Sequence, residues 1–303
     1  MLPALPFPDT PPPELNRIED WWRFAVSLLH STDASFGQSS IDAGQDAVFL
    51  VLGALALPLD SFAEVRTCAV TAAESQRLYS ALRRRVVERV PTAYVLGFAE
   101  QMGLRFVVNE NVLIPRSFIG ELLQDGLVDC LDDADAVASV LDLCTGSGCL
   151  AILAAHAFPY AQVVGTDISA AALDVARANV LRHQLDAVVT LKQGDLFVPL
   201  KGQRFDVILS NPPYVTTDSM AALPLEYQHE PSLALAAGDD GNDILRRILK
   251  DARRHLTPYG VLVVDMGHNR DLVEAAFPTL PFLWLSTAAH DGGVFALRAG
   301  DLP

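Results

Sequence analysis

Hydrophobic residues in the first third of the chain recur at helical spacing, and no strand-like alternation of polar and apolar residues appears there. This pattern predicts two helices that each bury one face. Their regularly spaced residues are Ile18, Trp21, Trp22, Val26 and Leu29 in the first helix, and Val48, Leu52 and Leu55 in the second. A third helix is predicted over Thr71–Val90, because Thr71 and Glu74 have the spacing of a capping box. We therefore expect a helical domain at residues 14–92.

The sequence on either side of this helical domain has a different character. Residues 1–13 are rich in proline and lack a periodic pattern, which predicts a disordered leader. On the other side, Tyr94–Phe98 and Leu104–Val108 have strand composition and predict a β-hairpin, with Val112–Ile114 as a further extended run. We expect this region, residues 93–116, to link the helical domain to the rest of the chain.

Beyond residue 117, short apolar runs alternate with helical stretches. Runs that are apolar throughout are typical of parallel strands covered on both faces. The predicted strands are Val140–Leu143, Gln162–Thr166, Val188–Leu191, Phe205–Ser210 and Gly260–Asp265, and the predicted helices are Cys149–Ala157, Ala170–His183 and Asp243–His255. The runs Phe282–Ser286 and Gly293–Arg298, joined by an Asp291-Gly292-Gly293 turn, predict an antiparallel pair. Residues 117–303 are therefore expected to form an α/β domain with a doubly wound sheet and an antiparallel last strand.

The composition narrows the classes of function. Half of the residues are hydrophobic and the formal net charge is −15, which argues against a protein that coats nucleic acid and is compatible with a basic protein partner. The four cysteines form no CxxC pair and have no metal-type spacing with the histidines, so we expect neither a disulfide framework nor a metal site. The N-terminus lacks the pattern of a signal peptide, and the longest apolar run, Ala47–Leu57, is too short to cross a bilayer. These features predict a cytoplasmic protein.

A glycine-containing turn follows the first predicted strand of the α/β domain. In doubly wound sheets, ligands bind at the carboxyl ends of the strands, and Gly146 and Gly148 allow close approach of the backbone to a ligand. The third glycine of a dinucleotide fingerprint is missing, which favours S-adenosylmethionine over NAD. Asp167, about twenty residues further on, has the place of a carboxylate that accepts the ribose hydroxyls. The alternative role for Asp167, capping the next helix, could be filled by Ser169.

The fourth predicted strand runs directly into Asn211-Pro212-Pro213-Tyr214. An amide nitrogen is a poor nucleophile, and two acceptors, the Asn211 side-chain oxygen and the Pro212 carbonyl, would fix it in place by binding its two N–H groups. Consecutive prolines stiffen such a loop, and Tyr214 offers an aromatic face for a planar group. The motif therefore predicts methylation of a planar amide or amine nitrogen, and by itself it leaves DNA and protein substrates open.

Together these elements resemble the Rossmann-like class I methyltransferases. By that resemblance Asp195 contacts the adenine amine, Leu196 borders the ring, and S-adenosylhomocysteine is the product. The cofactor-binding residues so predicted are Cys144, Thr145, Gly146, Ser147, Gly148, Asp167, Ile168, Asp195, Leu196 and Asn211.

The neighbouring elements resemble the protein-glutamine amide-nitrogen methyltransferases, the HemK-like family. They are Leu113-Ile114-Pro115-Arg116-Ser117, Gly120-Glu121-Leu122, the Thr-Gly-Ser-Gly turn, the Asn-Pro-Pro-Tyr motif and His229-Glu230-Pro231. Release-factor enzymes of the family typically read Pro-Arg-Pro-Asp-Thr-Glu at the first element. Residues 115–121 here are instead similar to the ribosomal-protein branch (the PrmB type), apart from Phe118, where we expect proline. That branch acts on a glutamine of large-subunit ribosomal protein L three.

This resemblance implies the roles of several further residues. The helical domain helps to hold the protein substrate, and the predicted substrate-binding residues are Asn211, Pro212, Pro213, Tyr214 and Glu230. Arg116 either approaches the cofactor or pairs with a nearby acid. The run Arg83–Arg85 with Arg89 is either a solvated helix face or an incidental ribosomal RNA contact, and Arg246, Arg247, Lys250, Arg253 and Arg254 are expected on an outer, solvated face.

Three competing functions remain open at this point. A release-factor glutamine methyltransferase would use the same chemistry on another protein. An adenine-amine DNA methyltransferase is disfavoured by the acidic charge balance, since such an enzyme must grip phosphates. A non-catalytic ribosome assembly factor is disfavoured by the intact Asn211 and cofactor motifs.

Overall fold

The computed structural model describes residues 6–288 and 291–303, and the chain divides into two compact units. Unit 1 comprises the described residues up to Ala99 together with Val108–Glu110 and Pro224–His229. Unit 2 comprises Glu100–Val107, Asn111–Leu223 and Glu230–Pro303. A short segment far along the sequence, Pro224–His229, therefore belongs to the same unit as the N-terminal helices.

The described part of unit 1 is helical, as its hydrophobic spacing predicts. Its helices are α1 (Ile18–Ser31), α2 (Ala43–Ala54), α3 (Phe62–Val65), α4 (Ala72–Val86) and α5 (Thr92–Leu96). Trp21, Leu50 and Leu82 are among the side chains that meet in one buried core. The predicted capping box is formed at the start of α4, where the Thr71 and Glu74 side chains each accept from the other's backbone N–H.

Two extended runs predicted near the domain linker are not strands. Tyr94 lies in α5, because Pro91 suits a helix start and Gly97, at φ +78°, ends the helix with its N–H bonded to Ala93. The strands that follow are β1 (Phe98–Gln101) and β2 (Leu104–Val107). Val112–Ile114 forms no strand, and the Ile114 N–H instead donates to the Glu230 carboxylate.

The leader also differs from its prediction where the structure describes it. Residues 6–13 form no helix or strand, yet the Phe7 ring lies 5.3 Å from the Tyr79 ring, and the Tyr79 hydroxyl donates to the Pro8 carbonyl. Phe7 and Pro8 thus pack on the helical unit, where a disordered leader was expected. Residues 1–5 lie outside the described residues.

A group of charges in unit 1, most of them buried, includes two arginines of the basic run, Arg85 in α4 and Arg89 beyond its end. We call Asp33, Asp46, Arg85, Arg89 and Glu226 the Glu226 cluster. Arg85 is 2% exposed and donates to Asp46 (2.7 Å) and to Glu226 (2.9 Å), whose side chain is fully buried. Arg89 donates to both Glu226 oxygens, at 2.7 and 2.9 Å, and to Asp33. The expectation of a solvated face is therefore wrong for Arg85, although Arg83 and Arg84 are exposed.

Unit 2 contains the predicted α/β sheet. Its described strands are β3 (Ser139–Leu143), β4 (Gln162–Asp167), β5 (Val189–Gln193), β6 (Phe205–Ser210), β7 (Leu256–Asp265), β8 (Leu283–Ser286) and β9 (Asp291–Arg298). Its described helices are α6 (Ile119–Gln124), α7 (Cys149–Ala157), α8 (Ala170–Arg182), α9 (Thr217–Ala221), α10 (Asp243–His255) and α11 (Arg270–Ala276).

Seven strands of the described chain pair in the order β5-β4-β3-β6-β7-β9-β8. The pairs among β3 to β7 are parallel, and β9 is antiparallel to both of its neighbours. The predicted doubly wound sheet with an antiparallel last strand is confirmed. One detail is wrong, because Asp291–Gly293 lies in β9 and is not a turn. Residues 289–290 lie outside the described residues.

Alternate residues of the central strands pack on opposite faces of this sheet. Val140, Val207 and Val263 belong to the core that contains α7, and their neighbours Leu141, Ile208 and Leu262 belong to the core that contains α10. Two buried faces explain why these strands read as apolar throughout. Because β3, β4 and β6 are parallel and in register, the loops that follow them leave from one edge of the sheet.

Candidate active site

A cavity of about 280 Å³ lies at this carboxyl edge, within unit 2. Most of the predicted cofactor residues line it. They are Cys144, Thr145, Gly146, Ser147, Asp167, Ile168, Asp195, Leu196 and Asn211. Pro213 and Arg116 also line the cavity, whereas Gly148, Pro212, Tyr214 and Glu230 are outside its lining. The structure thus brings together residues from the ends of β3, β4, β5 and β6.

The turn after β3 is tight, as its glycines indicate. Cys144, Gly146 and Gly148 have φ values of +59°, +53° and +78°. At Gly148, a Cβ would lie 3.2 Å from the Cβ of Ala176, so this glycine permits close packing of two helices and does not line the cavity. Its role is structural, and the Cys144–Ser147 part of the turn borders the cavity.

Asp167 at the end of β4 holds this turn in place. Its Oδ2 accepts from the Gly146 N–H (2.9 Å) and its Oδ1 from the Ser169 N–H (2.9 Å). The cap of α8 is Ser169, whose side chain accepts from the Ala172 N–H, as the sequence allowed. Burial raises the pKa of Asp167 above its ordinary value, against the lowering effect of its bonds to the Ser169 and Gly146 amides. Each carboxylate oxygen has a further lone pair with which to accept a ligand donor.

Three buried polar atoms of cavity-lining residues have no hydrogen-bond partner among the described residues. They are Asp142 Oδ1, Thr166 Oγ1 and Asn211 Oδ1. A buried acceptor without a donor is costly, and native proteins rarely leave one without reason. Polar groups gathered at one cavity therefore indicate that the site is built for a ligand with matching donors.

Asp142 is a site residue that the sequence reasoning missed. It lies inside β3 between two leucines, and a carboxylate in such a strand is itself an unusual signal. Its Oδ2 accepts from the Thr145 hydroxyl (2.5 Å) and the Ala151 N–H (3.0 Å). Burial raises the pKa of Asp142 to about 7, so its charge changes near neutral pH.

The other missed residue is Arg247 on α10. It lines the cavity beside Ile244, and its Nη2 lies 2.6 Å from Asp195 Oδ2. Arg247 is 48% exposed, as expected for a solvated face, but that face also borders the cavity, which was not expected. Helical spacing identified the helix, but the pairing with Asp195 depends on how α10 packs after β6. By contrast, Arg246 pairs with Asp240 and Asp243 at the start of α10.

Hydrogen bonds fix the Asn211–Tyr214 loop at both of its ends. At its start, the Ser210 hydroxyl donates to the Leu143 carbonyl (3.0 Å). At its end, the Asn269 side chain donates to the Tyr214 carbonyl (2.6 Å). The Tyr214 ring packs so closely on Gly267 that a Cβ there would lie 2.8 Å from the hydroxyl oxygen. Tyr214 thus packs against the protein and does not line the cavity, which differs from its predicted place beside the substrate.

Arg116 pairs with an acid, which is one of its two predicted alternatives, and it also lines the cavity. Its Nη1 and Nη2 donate to the two oxygens of Glu230, at 2.5 and 2.9 Å. The Glu230 side chain is fully buried and also accepts from the Ile114 N–H (3.1 Å). Glu230 therefore fixes Arg116 at the cavity and is not itself part of the lining.

Cys144 and Cys149 flank the glycine turn, and both line the cavity. Burial raises the pKa of both thiols, so they stay protonated at neutral pH. The Cys149 Sγ lies 3.0 Å from Gln101 Oε1. Cys149 is buried, and Cys144 is half-buried at the cavity.

Comparisons with known proteins agree with this geometry. Residues 124–223 match the methyltransferase small domain family. The ribosomal protein uL3 glutamine methyltransferase of Burkholderia pseudomallei is 49% identical over 301 residues, which cover 97% of this chain and 98% of that protein. The protein of the same name from Neisseria gonorrhoeae is 47% identical over 289 residues, covering 95% of this chain and 96% of that protein.

The chain belongs to the ribosomal protein uL3 glutamine methyltransferase family. Its predicted resemblance to the ribosomal-protein branch of the glutamine methyltransferases is confirmed. Among solved structures, the hMettl16 catalytic domain in complex with MAT2A 3'UTR hairpin 1 is similar with a TM-score of 0.51 and 14% identity, covering 77% of this chain and 83% of that chain. That likeness concerns the fold alone, and it agrees with the class I methyltransferase architecture of unit 2.

Within 6–288 and 291–303, no group of three or more histidine, cysteine or acidic side chains is placed to hold a metal ion. Each helix in those ranges is too short or too polar to span a bilayer.

Proposed function

We propose that this chain transfers a methyl group from S-adenosylmethionine to the side-chain amide nitrogen of a glutamine in ribosomal protein uL3. The observation that carries the proposal is the buried Asn211 Oδ1, an acceptor at the cavity without a donor among the described residues. An amide –NH₂ group supplies the donors that such an atom lacks. The relatives at 47–49% identity supply the identity of the protein substrate.

The cavity residues fit S-adenosylmethionine. We assign the ribose hydroxyls to Asp167, the adenine to Asp195 and Leu196, and the close backbone approach to the turn from Cys144 to Ser147. The buried carboxylate of Asp142 has one oxygen without a partner among the described residues, and it suits the ammonium group of the amino acid portion. The bound cofactor supplies an electrophilic methyl group on a positively charged sulfur.

In this proposal the Asn211–Tyr214 loop holds the substrate nitrogen. The Asn211 side-chain oxygen and the Pro212 carbonyl accept its two N–H groups, and Pro213 borders the cavity. The Asn269 bond and the packing of Tyr214 on Gly267 keep the two acceptors aimed. Orientation of the nitrogen toward the methyl group is then the main source of rate acceleration. The proton leaves after transfer, so no strong base is needed.

The remaining assignments concern the protein substrate. Glu230 acts through Arg116, which it holds at the cavity with two hydrogen bonds. A net charge of −15 favours encounter with a basic ribosomal protein. Such a substrate implies that the reaction takes place in the cytoplasm, and the helical domain at 14–92 is proposed to help hold it.

The test uses the full chain with isotopically labelled S-adenosylmethionine. Purified uL3, a release factor and duplex DNA are offered in parallel, and the product is mapped by peptide mass spectrometry. We expect one methyl group on one glutamine of uL3. Label on the release factor or on DNA in place of uL3 would overturn the substrate assignment.

A matched variant tests the mechanism. Asn211→Ala is expected to lose at least a hundredfold in transfer rate, because one of two acceptors for the nitrogen is removed, while S-adenosylhomocysteine still binds. Calorimetry with S-adenosylhomocysteine provides the binding control. Turnover at the normal rate in Asn211→Ala would contradict the role of Asn211.

A further inference from the structure

The ion pair between Asp195 and Arg247 spans two separate elements at the cavity. Asp195 follows β5 and Arg247 lies on α10, and both line the cavity. Their atoms Oδ2 and Nη2 lie 2.6 Å apart, and the side chains are 42% and 48% exposed. This is a charge-assisted contact at a solvent-accessible margin of the site.

Arg247 is carried by a firmly fixed helix. Leu245, Ile248 and Leu249 of α10 are buried in the same core as Leu196, the residue next to Asp195. Ile244 and Arg247 are three residues apart, so they share the helix face that borders the cavity. The helix therefore fixes the backbone of Arg247 relative to that of Asp195. Little else fixes the half-exposed Asp195 side chain.

The pair engages one oxygen of the carboxylate. Oδ2 accepts from Arg247, and Oδ1 has no hydrogen bond among the described residues. An ionised carboxylate only accepts hydrogen bonds. It therefore attracts a ring amino group and repels a ring carbonyl oxygen, which distinguishes adenine from hypoxanthine.

We propose that Arg247 is a positioning residue that fixes the Asp195 carboxylate and thereby sets the preference of the site for adenine. The inference rests on the proposed cofactor. Arg247 acts through Asp195 and makes no contact of its own with the reacting atoms. If Arg247 is removed, Asp195 can turn into solvent, and both the attraction for an amino group and the repulsion of a carbonyl oxygen weaken.

The experiment measures dissociation constants of the full chain for S-adenosylhomocysteine and for S-inosylhomocysteine, in which a carbonyl replaces the ring amino group. We expect Arg247→Met to weaken S-adenosylhomocysteine binding about two- to fivefold, the range that half-exposed ion pairs supply. The ratio of the two constants should fall as well, which a purely structural role would not cause. Arg247→Lys should restore part of the ratio, since lysine keeps the charge but not the planar fork.

Controls separate the possible outcomes. Arg254→Met removes an exposed pair with Asp251 on the same helix and should change neither constant. In an Asp195→Asn background, Arg247→Met should have no further effect, because its partner charge is already gone. An unchanged ratio in Arg247→Met, or additive losses in the double variant, would overturn the inference. If the wild-type chain binds neither compound, the proposed function itself fails.

Discussion

The buried charge group of unit 1 gives a stability prediction that follows directly from its geometry. In the Glu226 cluster, Arg85 and Arg89 face the buried acids Asp46 and Glu226, so that two positive and two negative charges balance inside the unit. Glu226→Gln keeps the shape of the side chain but leaves one positive charge uncompensated. Breaking a buried ion pair from one side costs about 3–5 kcal/mol, because the remaining charge stays desolvated.

The assay can be confined to unit 1. The chain has three tryptophans, and Trp21 and Trp22 lie in α1 whereas Trp284 lies in β8. In a Trp284→Phe background, urea unfolding followed by tryptophan fluorescence reports on unit 1. Glu226→Gln should move the midpoint to much lower urea, with little change in slope.

Asp33 supplies the matched control, since it pairs with the same Arg89 but is 91% exposed. Asp33→Asn should leave the midpoint nearly unchanged, because exposed pairs are screened by water. The reasoning would be refuted if Glu226→Gln were as stable as the parent, or if Asp33→Asn were equally destabilising.

The pH dependence has a definite sign. Burial alone would raise the pKa of Glu226, but its hydrogen bonds to Arg89 and Arg85 outweigh burial and hold the pKa below the ordinary 4.5. A carboxylate with a lowered pKa stabilises the folded state above its unfolded pKa, and this contribution is lost as the pH falls through the folded value. The gap between the parent and Glu226→Gln should therefore be full at pH 6–8 and shrink below about pH 4.

Two further predictions concern the catalytic unit. Burial raises the pKa of Asp142 to about 7. If only the charged carboxylate holds the ammonium group, S-adenosylhomocysteine should bind about tenfold more weakly at pH 6 than at pH 8. Calorimetry should show that this pH dependence disappears in Asp142→Asn, and affinity independent of pH in the parent chain would contradict the assignment. Gly267 has φ +55°, and Gly267→Ala places a Cβ 2.8 Å from the Tyr214 hydroxyl. The Asn211–Tyr214 loop must then shift, and the rate of methyl transfer to uL3 should fall at least tenfold. The control is Gly300→Ala, whose Cβ meets nothing within 4 Å and which should retain the parent rate. Equal rates in the two glycine variants would show that the loop does not depend on this contact.

The sheet and its ligand-binding edge could be predicted from the sequence because their signals are local. Strands buried on both faces, such as Phe205–Ser210, read as apolar runs, and the glycine turn and the Asn-Pro-Pro-Tyr motif follow strand ends directly. The pattern failed at Tyr94, where aromatic and β-branched composition suggested a strand, although Pro91 and Gly97 bound a short helix. Composition over five residues cannot separate these two states.

Residues whose roles depend on distant partners could not be predicted. Arg85 and Arg247 each lie on a helix that was correctly predicted, but helical spacing does not reveal which acid a side chain meets. Asp142 was overlooked because its neighbours identify a strand, and its buried environment appears only when the sheet is assembled. The motif alone predicts Tyr214 beside the substrate, and its packing on Gly267 depends on a residue far later in the sequence.

The inclusion of Pro224–His229 in unit 1 has a consequence for how the protein is made. Arg85 and Glu226 are 141 residues apart in sequence, so at about 5–20 residues per second the ribosome needs roughly 7–30 s after Arg85 to deliver its partner. During that interval Arg85 and Arg89 lack Glu226, one of the two buried acids that balance their charges in the complete chain. The Glu226 cluster is therefore completed late in synthesis, although the helices of unit 1 are translated first. A fragment that ends at Ala99, or a chimera that exchanges only the N-terminal helices, would leave Arg85 and Arg89 permanently without Glu226.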